Sequence, residues 1–337
     1  MQIKTQNTIS KHQLETLKIP TFTYPWPEEC SPHAANVEAQ MLSWAEKHNL
    51  FPDLDYRKRV ERTRYGWLAA RCYPRASLEL LQAAADYFVW FFLADDMFVD
   101  RVETFNRETL GNLTAMIDVI DFGTARPRPV YGELAWLDVC RRLRRLLPRE
   151  AFSRFASGMR MWASTAGLQM LLHLCDESSV DLRVYQTIRA HTSGMAPCIA
   201  LADCASHGFI SAQELYDPDV QTLVRLTGNV VCWSNDIHSV IVEARQPGQF
   251  RNSVIICARD VGSLQGGVDK MAEIVRGEID RFIELSAVVS QRAGPELEGF
   301  IDGMRLWMKG YQNWADRDTL RYDVAFADLD ADDRGRI

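Results

Sequence analysis

Apolar residues recur along most of the chain with the three-and-four spacing of one helix face, and the alternating pattern of a strand is almost absent. From 78 to 97, Leu78, Leu81, Ala85, Phe88 and Phe92 keep a 3.6-residue period, and Ser77 stands before them as an N-cap. The same spacing predicts helices over 34–49, where Val37, Met41, Trp44 and Ala45 share a face, and over 55–72, 134–147, 151–175 and 181–195. The helix at 181–195 is expected to break near Gly194 and Pro197. One or two helices fill 212–243, and others cover 252–257, 268–293 and 295–314. Pro20, Pro25, Pro27 and Pro32 make 18–32 an extended segment lying on the helical body, and 121–131 and 246–249 are loops. The expected fold is an all-α single domain of ten or more helices over 18–322, with a flexible N-terminal tail over 1–17 and a polar C-terminal tail over 323–337.

Composition narrows the function classes. The chain has 337 residues, 47% of them apolar, which suits one large packed core. A formal net charge of −7 argues against a nucleic-acid partner. The short basic run 141–145 is a solvated helix face. Eight cysteines without a CxxC pair sit mostly in apolar contexts, as expected of reduced thiols in a cytoplasmic protein. No apolar run reaches the ~20 residues needed to span a bilayer.

Candidate chemistry lies in two polar clusters. Asn235, Ser239 and Glu243 follow the apolar run 230–233 at steps of four, each drifting only about 40° around a helix, so their oxygens line one face. An amide oxygen, a hydroxyl and a carboxylate are hard ligands suited to Mg²⁺, and one carboxylate holds such an ion weakly unless an anion joins the shell. A polar stripe facing water explains the same three residues. Asp95, Asp96 and Asp100 close a strongly apolar helix, where adjacent negative charges oppose the macrodipole unless a cation is present.

The two clusters, in this order in an all-α chain of this length, resemble a microbial class I terpene synthase. Arg189 lies 46 residues before Asn235, where that family places its diphosphate-sensing arginine, and Thr192, Ser193 and Gly194 occupy its helix break. Arg321-Tyr322, led in by Asn313-Trp314, matches the family's RY pair, and 68–74 and Trp44-Ala45 match weaker signatures. Two positions depart from the pattern: Val242 stands where the family often has a basic residue, so that a diphosphate contact is either absent or supplied by Arg245, and three residues separate Asp96 from Asp100.

The resemblance implies Mg²⁺-dependent ionisation and cyclisation of a linear isoprenoid diphosphate. Farnesyl diphosphate is the family's common substrate at this size, with the geranyl and geranylgeranyl homologues as alternatives. Three Mg²⁺ ions are implied, with Mn²⁺ able to substitute, held by Asp95 and Asp100 and by Asn235, Ser239 and Glu243. Arg189, Arg321 and Tyr322 would bind diphosphate. Asp96 would pair with an arginine. Phe91, Phe92, Trp307 and Trp314, with Thr192, Ser193 and Gly194, would line the pocket. The family leaves a homodimer open.

A chain-elongating prenyltransferase would need a second DDxxD-type motif in place of Asn235–Glu243, and a non-catalytic isoprenoid-binding protein would make the motifs coincidental. The Asp330-Ala331-Asp332-Asp333 string sits in a polar tail and is a solvated acidic run; His191 and His238 are expected to be structural.

Overall fold

The computed structural model describes residues 11–98, 107–172, 180–203, 208–244 and 252–323. Among them there is no strand. The helices are α1 (Lys11–Glu15), α2 (Ala34–Lys47), α3 (Leu54–Thr63), α4 (Tyr65–Cys72), α5 (Leu78–Phe98), α6 (Arg107–Phe122), α7 (Glu133–Leu146) and α8 (Arg149–Leu172). They continue with α9 (Leu182–Thr192), α10 (Met195–Ile199), α11 (Ala212–Leu215), α12 (Pro218–Glu243), α13 (Ser253–Val261), α14 (Leu264–Ser290) and α15 (Pro295–Asn313), which runs into a π-helical turn, Trp314–Asp318.

Two helices organise the rest. The apolar face of α5 packs on α4, α2 and α7, with Trp90 stacked on Trp136 at 4.2 Å and Tyr87 edge-on to Phe155 at 5.1 Å. The second, α12, packs on α14, α15 and α13. Its start is fixed by Pro218 in the first turn and by Asp217, whose side chain accepts from Asp219 N and Val220 N. The clusters at the C-terminal end of α5 and along α12 therefore sit on long, buried helices rather than on loops.

The expected helix over 55–72 is two helices. Arg64 adopts the left-handed conformation (φ 56°, ψ 47°) and separates α3 from α4. No Gly or Pro marks the break. Tertiary donors stabilise it: Trp314 Nε1 donates to Thr63 O at 3.0 Å and Arg64 O at 2.9 Å, and Leu320 N to Arg62 O at 3.0 Å. The segment carrying Arg321 and Tyr322 is thus seated on the α3–α4 junction. The bidentate Arg71–Asp318 ion pair seats it further.

Residues 18–32 run as an extended strap, as expected, but α1 falls inside the segment expected to be a flexible tail. Leu14 is 2% exposed in the core, and Leu17 packs beside it, which anchors an otherwise polar stretch. The six described cysteines, Cys30, Cys72, Cys140, Cys198, Cys232 and Cys257, are free thiols. No helix among the described residues is long and apolar enough to cross a membrane.

Where α2 crosses α4, Gly66 N donates to the buried Glu38 carboxylate at 2.7 Å. Burial pushes that carboxyl from 4.5 up to about 7, against the bond from Gly66. The folded chain therefore holds this proton at pH values where the unfolded chain has released it. The stabilising contribution is complete below about 4.5 and is lost as pH rises through about 7. Between pH 5 and pH 8 the protein is expected to lose about 2 kcal/mol of unfolding free energy relative to Glu38→Gln, read by chemical denaturation. A difference that does not change with pH would contradict this.

Candidate active site

The last turns of α5 present Phe91, Phe92, Asp95 and Asp96. Phe91 is buried against Trp162, at 5.0 Å between ring centres, and against Gly194. Phe92 is half-buried and stacks parallel on Tyr65 at 4.3 Å. Asp95 accepts from Trp162 Nε1 at 3.2 Å. Asp96 is ion-paired with Arg321, Nη2 to Oδ1 3.2 Å. The Arg321 guanidinium also donates to the Tyr65 hydroxyl at 2.7 Å and lies 5.2 Å over the Phe92 ring.

Next to Arg321, the Tyr322 hydroxyl accepts from Asn235 Nδ2 at 2.8 Å. Asn235 Oδ1 accepts from Arg189 Nη2 at 2.6 Å, and Arg189 Nε donates to Asp236 at 3.1 Å. With one covalent step between Arg321 and Tyr322, a continuous path of contacts runs from Asp96 to Asp236. It links the C-terminal end of α5, the C-terminal segment, α12 and α9. Burial works against the Arg189 charge, but Asp236, Tyr185, Cys232 and Glu243 outweigh it and hold the guanidinium firmly protonated.

Asn235, Ser239 and Glu243 keep the single-face spacing expected of them on α12. Glu243 is half-buried, and burial together with the neighbouring Asp236 charge pushes its carboxyl up to about 7. Asp95, Asn235, Ser239 and Glu243 offer only oxygen donors, a set that fits a hard divalent cation and suits Zn²⁺ or Cu²⁺ poorly. Among the described residues no three His, Cys, Asp or Glu side chains gather as a metal site. Asp100, Arg245, residues 246–251 and the 330–333 string lie outside the described residues.

The helix break falls where expected. Ser193 caps α9, Gly194 is left-handed (φ 74°), and α10 carries Pro197 in its first turn. Thr192 Oγ1 donates to Ile188 O at 3.3 Å, and Ser193 Oγ donates to Ala190 O and accepts from Met195 N. Gly194 is required twice over: its φ disfavours a side chain, and a Cβ would stand 2.4 Å from Phe91 Cζ. Gly194→Ala is expected to cost about 1–3 kcal/mol of stability in denaturant unfolding; an unchanged midpoint would contradict the tight contact.

The aromatics divide. Trp307 is buried edge-on to Tyr73 (5.6 Å) and Phe88 (5.7 Å). Trp314 is fully buried, and its indole is committed to the Thr63 and Arg64 carbonyls while its ring meets Tyr322 at 5.8 Å. It therefore anchors the C-terminal segment. His238 is buried, its pKa driven down to about 4 by burial, with Nδ1 3.3 Å from the Tyr311 hydroxyl and its ring stacked on Tyr322 at 5.6 Å. His191 is exposed.

A model of terpene synthase family 2, described as its C-terminal metal-binding region, matches residues 86–281, more than half of the chain. The chain belongs to this terpene synthase family. The matched span holds both the Asp95-Asp96 pair and the Asn235–Glu243 stretch. A sesquiterpene synthase of Metarhizium brunneum (strain ARSEF 3297) is 58% identical over 98% of this chain and 96% of its own. The (2E,6E)-farnesyl diphosphate-cyclizing (+)-corvol ether B/(+)-corvol ether A synthase of Kitasatospora setae is 55% identical over 94% of this chain and 98% of its own. The crystal structure of a-eudesmol synthase superposes with a TM-score of 0.77 at 21% identity, covering 87% of this chain and 98% of that one. The all-α class I terpene synthase fold expected from the sequence is the fold observed, and the chain is an enzyme of that class.

Three residues that belong to none of the motifs hold this cluster together. Asp236, 1% exposed, accepts from Tyr185 Oη (2.8 Å), Ser253 Oγ (2.7 Å) and Arg189. Tyr65 receives Arg321, and Tyr311 bridges His238 and Tyr322. Asp236 was visible as an acid on a predicted buried helix; the two tyrosines carry no local signal, since their partners are more than 70 residues away or lie in the C-terminal segment.

Proposed function

We propose that this terpene synthase converts farnesyl diphosphate, with Mg²⁺, to a cyclic sesquiterpene hydrocarbon or alcohol and inorganic diphosphate. The observation that carries the proposal is the path Asp96–Arg321–Tyr322–Asn235–Arg189, which gathers two guanidinium groups, a phenol and the oxygen donors of both clusters around one locus. Farnesyl diphosphate is supported by the names of the relatives that share more than half of this sequence.

Asp95, with Asp100, and Asn235, Ser239 and Glu243 are the residues that would hold Mg²⁺, and the bound ions supply positive charge to the departing diphosphate oxygens. Arg189 and Arg321 donate their forks to the same oxygens and stay charged at any working pH. Tyr322 adds a neutral donor. Asp96 holds Arg321 in place until an anion competes for it. As the allylic C–O bond breaks, its electron pair leaves on the diphosphate oxygen and an allylic cation remains. The chain's aromatic faces stabilise that cation by roughly 0.5–2 kcal/mol each, and an apolar lining keeps water from it. Phe91 and Phe92 stand one helical turn before the acidic pair on α5. Attack of the substrate's own double bonds closes the ring, and loss of a proton or capture of water ends the reaction.

Turnover of the C10, C15 and C20 diphosphates in parallel tests the substrate assignment. The C15 substrate is expected to give the highest kcat/KM with a cyclic product. A preference for either of the others, or elongated prenyl diphosphates as products, would contradict it.

A further inference from the structure

Asn252 is the first described residue after 245–251 and caps α13, and it is fully buried. Its two amide atoms do different things. Oδ1 accepts from Val254 N at 2.8 Å, the ordinary bond of a helix cap. Nδ2 points the other way, onto α12, and donates to the Asp236 carbonyl at 2.7 Å and to Glu243 Oε2 at 2.9 Å, with Ser239 Oγ at 3.5 Å. One side chain therefore touches α12 at 236, 239 and 243, two of which are proposed cation ligands. Ser253, the next residue, clamps the same helix by donating Oγ to Asp236 Oδ2 at 2.7 Å and its backbone N–H to the same oxygen at 3.3 Å.

A cap needs only Oδ1, and a serine or threonine supplies that atom as well as asparagine does. The amide nitrogen is surplus to capping. Glu243 sits in the last turn of α12, where an unrestrained glutamate would sample several rotamers. The bond from Asn252 fixes its carboxylate beside Ser239, and because Asn252 is itself held at the start of α13, the restraint is tied to the packed body of the protein.

We propose that Asn252 is a positioning residue: it orients Glu243, and with it Ser239, so that a divalent cation accompanied by diphosphate meets a pre-formed ligand pair. This rests on the metal role proposed above for Glu243 and Ser239. A residue that merely starts a helix would change how much protein is folded; a positioning residue changes the affinity of the folded protein.

Calorimetric titration of the full chain with Mg²⁺ in the presence of inorganic diphosphate separates these effects. Asn252→Ser keeps a capping oxygen and deletes the donor to Glu243. Ser263→Ala deletes a comparable cap at the start of α14, whose hydroxyl accepts from Gly266 N at 3.1 Å. Asn252→Ser is expected to bind Mg²⁺–diphosphate roughly tenfold more weakly at unchanged stoichiometry, since the carboxylate must now be ordered on binding. Ser263→Ala is expected to bind as the parent does, whatever its loss of melting temperature. Asn252→Thr is the second variant, and the same affinity loss is required of whichever folds. Parent-like affinity in a folded Asn252 variant, or reduced stoichiometry at parent-like affinity, overturns the positioning role. Failure of the parent protein itself to bind Mg²⁺ with diphosphate overturns the metal role beneath it.

Discussion

Glu243→Ala is expected to lower kcat/KM for the prenyl diphosphate by roughly 10²–10³-fold or more, the scale seen when one charge-stabilising group is lost from an active site. It supplies the only formal charge of its trio, because Asn235 and Ser239 are neutral. Without it, two neutral oxygens face an ion that demands anionic ligands. Stability should not fall with activity. Burial and Asp236 make the ionised Glu243 costly to keep, so removing it relieves an unfavourable charge. Asn235→Ala should share the loss of activity, since the same side chain also meets Tyr322 and Arg189. Steady-state kinetics with a parallel thermal melt check both halves. Near-parent turnover in both variants would refute the metal role of this face.

Arg189→Ala should be damaging in two ways. Its guanidinium is the cation beside Asp236, which is 1% exposed and, among the described residues, keeps the neutral donors Tyr185 and Ser253 when Arg189 is gone. Breaking a buried pair from one side typically costs about 3–5 kcal/mol. The same side chain orients Asn235 through Nη2, and in the proposed reaction it meets the diphosphate. Arg189→Lys restores the charge but not the fork that reaches Asp236 and Asn235 together. Lysine is therefore expected to recover most of the stability in denaturant unfolding and little of the turnover. Full recovery of turnover by lysine would show that only charge matters here.

Periodicity alone located most helices, because long amphipathic runs with clear Pro, Gly and Asp punctuation need no tertiary information. It missed the break at Arg64, where no local signal competes with helix and the deciding donors, Trp314 Nε1 and Leu320 N, arrive from 250 residues away. Trp314, which the resemblance places in the pocket, has its indole bonded to the Thr63 and Arg64 carbonyls, a contact that periodicity does not reveal. Fixed spacing was enough for Asn235, Ser239 and Glu243, whose geometry is set within one helix. Arg189, Arg321 and Tyr322 carried no such geometric signal; only resemblance to a family singled them out. Asp236 and Asn252 were harder still. A residue adjacent to Asn235 lies about 100° around the helix, so its partners on α9 and α13 depend on how three helices pack.

In the proposed reaction both clusters act on one prenyl diphosphate through divalent cations. Incubating the purified protein with farnesyl diphosphate and Mg²⁺, while following inorganic diphosphate and volatile products together, tests it most directly. Stoichiometric release of diphosphate with a cyclic C15 product, abolished by a chelator and restored by excess Mg²⁺, is the predicted result. No diphosphate release from farnesyl diphosphate or its C10 and C20 homologues, or release that the chelator leaves unchanged, would contradict it.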